Sequence, residues 1–203
     1  MAEIKQAGKK IEDANKVAIL IHGRGASAES ILSLKDYLHL EDYALFAPQA
    51  VGGSWYPYSF MAQEKNNEPA FSQAMKTIDD LVKSLYKRGF KSEQIYFIGF
   101  SQGACLSLEY ATQNAEKYGG VIAFTGGLIG EQFNPSKYAG DFKGTPVFIG
   151  SSKQDMHVPL TRIQESSLLI EKMGAKVKTL IFADSEHTIR EEEIEWVNAN
   201  ILN

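Results

Sequence analysis

The chain has 203 residues, 44% of them hydrophobic and 23% charged, and 25 acidic against 21 basic side chains leave a net charge of -4. This length suits one domain, residues 1–203, whose core needs no disulfide or metal staple; the one cysteine, Cys105, cannot pair within the chain. An acid excess without a segregated basic block argues against a nucleic-acid or anionic-membrane footprint.

Apolar runs fall far short of the ~20 residues that span a bilayer, and no signal-type apolar region follows the lysine-bearing start MAEIKQAGKK. The expected compartment is the cytoplasm, with no stable membrane association. Ile4 to Ile11, ahead of the turn-like Asp13-Ala14-Asn15, reads as an antiparallel edge strand. From Val17 onward short apolar strands alternate with helical patterns, the rhythm of βα units on a mostly parallel sheet. The strands are Val17 to Ile21, Tyr43 to Ala47, Ile95 to Ile98, Val121 to Phe124, Val147 to Ile149 and Val177 to Phe182. The helices are Ala28 to Leu38, Pro69 to Arg88, Gln102 to Gln113, Leu160 to Met173 and Thr188 to Ile201. In the second, Phe71, Met75, Ile78, Val82 and Leu85 form a core-facing stripe closed by Gly89. In the last, Glu191, Glu192 and Glu193 read as first-turn carboxylates that complement the helix dipole.

The longest irregular stretch, from Gln49 to Glu68, carries Trp55, Tyr56, Tyr58 and Phe60. Loops of that length after a strand are usually functional or disordered, and four aromatics favour the wall of a pocket. The alternatives are a cap on the sheet edge or a contact in a homodimer.

Chemistry enters at Gly99-Phe100-Ser101-Gln102-Gly103. This G-x-S-x-G follows an apolar strand and opens directly into a helix, the context in which a sharp turn presents a serine hydroxyl above the sheet. The architecture requires an acid and then a histidine downstream. His187 lies beyond the strand Val177 to Phe182, and Asp155 beyond Val147 to Ile149, both at the sheet end where ligands bind. Asp141 precedes its strand, at the wrong end, and Asp184 shares the short loop of His187. The expected trio is therefore Ser101, Asp155 and His187, with the backbone amides of Arg24, in the loop His22-Gly23-Arg24-Gly25, and of Gln102 as oxyanion donors. His157 belongs to the pocket rim. The four histidines are scattered, and H-E-x-x-H and C-x-x-C spacings are absent, so metal catalysis lacks support.

These segments resemble the phospholipase/carboxylesterase family of α/β-hydrolases, the group that includes acyl-protein thioesterases. The resemblance rests on Leu20-Ile21-His22-Gly23, on Gly99-Phe100-Ser101-Gln102-Gly103-Ala104, on Gly150 to Pro159 with its G-x-x-D-x-x-V-P pattern, and on Glu186-His187-Thr188. It implies an α/β-hydrolase fold with helices on both faces of the sheet, no cap domain, and a serine esterase that uses no cofactor. It also implies that Trp55 lines the acyl side of the pocket; Tyr58, Met156 and His157 complete the expected substrate-binding residues. Where the family often has an apolar residue and Gly-Asp after the HG pair, this chain has Arg24-Gly25-Ala26, and Arg24 suggests a preference for substrates with an acidic or polar group. The expected reaction is hydrolysis of a small-molecule carboxylic ester, short-chain or aryl, through an acyl-enzyme. Thioester or lysophospholipid cleavage by the same trio, or a non-catalytic binding protein on the same fold, are the alternatives.

Overall fold

The computed structural model describes residues 3–203. Seven strands, β1 (Ile4–Gly8), β2 (Lys16–Ile21), β3 (Tyr43–Pro48), β4 (Ile95–Phe100), β5 (Gly120–Phe124), β6 (Pro146–Ser152) and β7 (Lys176–Phe182), form one sheet in the order β1-β3-β2-β4-β5-β6-β7. β1 runs antiparallel along β3, Ile4 opposite Pro48, and every other neighbouring pair is parallel. Five longer helices cover it: α1 (Ala28–Leu32), α2 (Ala70–Lys87), α3 (Gln102–Gln113), α4 (Leu160–Lys172) and α5 (Glu191–Asn200). This is an α/β-hydrolase fold.

The run Val17 to Ile21 is apolar throughout because a central parallel strand is covered on both faces, and its alternate residues enter two separate cores. Val17, Ile19 and Ile21 pack with Ile78, Val82 and Leu85 of α2, Leu106 and Leu108 of α3 and Ile163 and Ile170 of α4. Ala18 and Leu20 pack with Ile31 and Leu32 of α1 and Val197 of α5. In α2, Ile78, Val82 and Leu85 of the stripe are buried together with Ala74 and Leu81, and Phe71 and Met75 are half-buried against the same core. The helix ends where Gly89, at φ 93, lets Phe90 N–H reach back to Leu85 O.

Two helices are shorter than their patterns suggest. α1 stops at Leu32 and continues as a 3-10 turn, Ser33–Asp36, because Ser30 and Ser33 hydroxyls bond back to the carbonyls of Ser27 and Ser30 and compete with the helical ladder. α5 begins at Glu191 because Arg190 is extended, its N–H held by the Glu193 carboxylate at 2.7 Å. Among the described residues no helix is long and apolar enough to cross a membrane.

Candidate active site

The parallel strands β2, β4, β6 and β7 finish at one edge of the sheet, and the segments that follow them converge there. Ser101 is the turn between β4 and α3, with φ 54 and ψ -117, a region that costs a non-glycine residue about 1–3 kcal/mol. The surroundings hold it: Ser101 N–H donates to Phe124 O (2.9 Å) and Ser101 O accepts from Cys105 N–H (3.0 Å). Both elbow glycines are needed for close approach. A Cβ on Gly99 would lie 2.3 Å from Gly103 O, and one on Gly103 would lie 2.0 Å from Ile21 O, so β4, α3 and β2 meet main chain to main chain.

His187 joins the other two members of the expected trio. Its Nε2 lies 2.8 Å from Ser101 Oγ and its Nδ1 2.7 Å from Asp155 Oδ2. The second carboxylate oxygen, Oδ1, accepts backbone N–H from His157 (2.7 Å) and Val158 (2.9 Å). Burial alone would raise the Asp155 pKa, but the hydrogen bond from His187 and the two amides outweigh it and hold the carboxyl below its usual range. An ionised Asp155 can only accept, which assigns the proton to Nδ1 and leaves Nε2 free to take one from Ser101. The imidazole packs against the rings of Phe100 and His157, at 5.2 and 5.0 Å between centroids. Its loop is tied down by Ser152, whose hydroxyl donates to Glu186 O, and by Asp184, which accepts from Arg190 Nη2 (2.6 Å) and Glu186 N–H (3.0 Å). Asp184 is thus spent on its own loop, and Asp141 accepts from Lys143 N–H in the turn before β6.

The loop after β2 lies against the serine: a Cβ on Gly23 would sit 3.4 Å from Ser101 Cβ. His22 is fully buried, its Nδ1–H donating to Gly23 O (2.7 Å) and its Nε2 accepting Ala50 N–H (3.1 Å). Burial lowers the pKa of this imidazole, the Gly23 bond only partly opposing it. Gly25 N–H donates to Gly53 O (2.7 Å) and the Trp55 indole N–H to His22 O (2.9 Å). Among the described residues the backbone N–H groups of Arg24 and Gln102 have no acceptor; they are the donors available to an oxyanion here.

The cavity at this edge has a volume of about 650 Å³, bounded by residues 56–60 on one side, by Met156, His157 and Val158 on another, by Arg24 and by Cys105. Tyr58 and Met156, 59% and 89% exposed, stand at its rim. Trp55 corrects the expectation drawn from the resemblance. It is 4% exposed and lies outside the lining, because its indole is drawn to His22 O and its N–H to Gln102 Oε1 (2.9 Å). Burial pushes the Cys105 thiol up to about 12, which keeps it protonated. A second depression of about 390 Å³, lined by Ile11, Arg88 and Phe90 among others, includes none of the trio. Among the described residues no three His, Cys, Asp or Glu side chains come together as a metal site.

Three side chains make contacts that the sequence does not announce. The Gln102 side chain bridges the elbow to the aromatic loop, accepting Trp55 N–H and donating to Tyr56 O (2.9 Å); its place in the F-S-Q-G run was visible, its partners were not. His22 carried a signal only in standing before Gly23. Glu193, read as dipole decoration, is buried against Gly150, where a Cβ would overlap its Oε1.

The Phospholipase/Carboxylesterase family model matches residues 2–202. The chain belongs to this family. Acyl-protein thioesterase 1 of Saccharomyces cerevisiae is 31% identical over 175 residues, 74% of this chain and 75% of that one. The crystal structure of a phospholipase/carboxylesterase from Dyadobacter fermentans, 48% identical, superposes with a TM-score of 0.98 over 100% of this chain and 97% of that chain. The Bacillus cereus carboxylesterase, 17% identical, has a TM-score of 0.79 over 98% of this chain and 92% of its own and shares the fold. As a member of the phospholipase/carboxylesterase family the protein is an enzyme of the serine-hydrolase type, a carboxylesterase/thioesterase.

Proposed function

We propose that the enzyme hydrolyses small carboxylic esters, short-chain or aryl, through an acyl-enzyme on Ser101. One observation carries this reading: a single imidazole, His187, lies 2.8 Å from the serine oxygen and 2.7 Å from an ionised, buried carboxylate, beside two unengaged amides. In the first half-reaction Ser101 Oγ attacks the carbonyl carbon while His187 Nε2 takes its proton, and Asp155 stabilises the imidazolium. The N–H groups of Arg24 and Gln102 receive the negative oxygen, and the imidazolium returns its proton to the leaving alkoxide or phenoxide. Water, deprotonated by the same imidazole, then releases the acid. Tyr58, Phe60, Met156 and Val158 offer apolar faces to the organic group.

The test is a series of p-nitrophenyl esters of increasing acyl length, with Ser101→Ala as the control and a fluorophosphonate probe to mark the nucleophile. Highest kcat/KM on short acyl groups, with turnover and labelling lost in Ser101→Ala, is the expected result. An unlabelled wild-type serine, or a preference that keeps rising with chain length, overturns it. A second reading, thioester cleavage, is favoured by the 31% identity to a yeast acyl-protein thioesterase; an acyl thioester in the same series decides between the two.

A further inference from the structure

Among the described residues Arg24 is the one lysine or arginine at the lining of the cavity, its guanidinium bonded to the carbonyls of Pro57 and Tyr58 in the same wall, and no aspartate or glutamate lines it. Asp155 stands behind the imidazole, with its charge met by His187 and by the amides of His157 and Val158. The Arg24 guanidinium is held in place by Ser54 Oγ (3.0 Å), Pro57 O (2.9 Å) and Tyr58 O (2.6 Å). All three acceptors are neutral. They take up three of its five N–H donors and fix an exposed side chain that would otherwise be mobile, and none of them carries a charge to offset its own. Two donors, Nε–H among them, have no acceptor among the described residues. A stapling role for the loop needs only hydrogen-bond donors. A guanidinium with no carboxylate partner among the described residues, on a chain whose net charge is -4, is the feature that a staple leaves unexplained.

We propose that Arg24 is an anion subsite of the cavity, and that the preferred substrates are esters carrying a carboxylate on the acyl or the leaving group. This rests on the esterase reading above and narrows its substrate class. A guanidinium already fixed by the loop loses little further freedom when a carboxylate binds, and a positive site draws anionic esters in more strongly at low ionic strength.

The experiment compares mono-p-nitrophenyl adipate with its uncharged methyl ester, and 4-acetoxybenzoate with its methyl ester, in the wild type, Arg24→Gln and Arg24→Lys, each at low and high KCl. The expected result is a kcat/KM ratio of anionic to neutral ester that is above one for at least one pair in the wild type. That ratio falls roughly fivefold in Arg24→Gln, is largely kept in Arg24→Lys, and shrinks with salt. Because each variant is normalised by its own neutral ester, loosening of the 54–58 loop divides out. Ratios at or below one in the wild type, a preference insensitive to salt, or one that survives Arg24→Gln overturns the subsite alone. Failure of the wild type to cleave either member of both pairs removes the esterase reading and the subsite with it.

Discussion

The imidazole of His22 donates to the carbonyl of Gly23 at 2.7 Å, and that carbonyl belongs to the same peptide plane as the N–H of Arg24. Carbonyl and N–H of a trans peptide point in opposite directions, so fixing one aims the other. In the mechanism proposed above, His22 therefore orients the N–H that receives the oxyanion, without touching the substrate. With His22→Ala we expect kcat to fall by about 10- to 100-fold, less than the 10²–10³ lost when a donor is removed outright, and KM to move little. Steady-state kinetics on one p-nitrophenyl ester, with circular dichroism to check folding, measures the split. A change confined to KM would count against the role.

Asp155 sets the tautomer of His187. Asparagine at 155 preserves the shape but presents an amide that can donate to Nδ1 and so move the imidazole proton to Nε2, where it can no longer accept from Ser101. We expect Asp155→Asn to lower kcat by roughly 10³–10⁴. A loss under tenfold in a folded variant would contradict the relay.

Gly103 tests the packing that brings the elbow against β2. A Cβ there would meet main chain, Ile21 O at 2.0 Å, and not the yielding end of a side chain. Gly103→Ala should destabilise the protein by more than about 3 kcal/mol, read as a lowered midpoint in urea denaturation. A shift of about 1 kcal/mol or less would mean that strand and helix are farther apart than described.

Glu193 predicts an unusual pH dependence of stability. Burial, partly offset by the Arg190 N–H and the Arg190 charge, raises its pKa from 4.5 to about 7, and its Oε1 has no partner among the described residues. A carboxyl raised in this way holds more protons folded than unfolded. Its contribution is therefore most favourable below pH 4.5 and is lost as pH climbs through 7, a difference on the order of 3 kcal/mol. Glu193→Gln removes the ionisation. Melting curves should show the variant more stable than the wild type at pH 8 and nearly equal to it at pH 5; equal melting temperatures at both would refute the assignment.

The meeting of Ser101, Asp155 and His187 in space was legible because each follows an apolar run, and parallel strands deliver whatever follows them to one edge of the sheet. The antiparallel β1, shorter than the Ile4 to Ile11 stretch, was readable from the turn-like residues after it, and most of the buried stripe of α2 from its spacing. Trp55 was misplaced because an aromatic in a long loop signals burial but not which surface it is buried against; the indole N–H chose His22 O over the cavity. Glu193 was missed for a different reason. A third consecutive glutamate at a helix start has an ordinary electrostatic explanation, and only the missing side chain of Gly150, distant in sequence, makes room for it. The early end of α1 depended on serine hydroxyls turning back to main-chain carbonyls, which a hydrophobic pattern does not register.

Gln102 and Arg24 together grip residues 55–58 through main-chain atoms: Trp55 N–H, and the carbonyls of Tyr56, Pro57 and Tyr58. Anchorage and chemical identity are thereby uncoupled along this strip. A library that randomises the side chains of Tyr58 and Ser59 keeps every one of those attachments, so the gatepost of the cavity can be recast for new molecules while the machinery behind it stays in register.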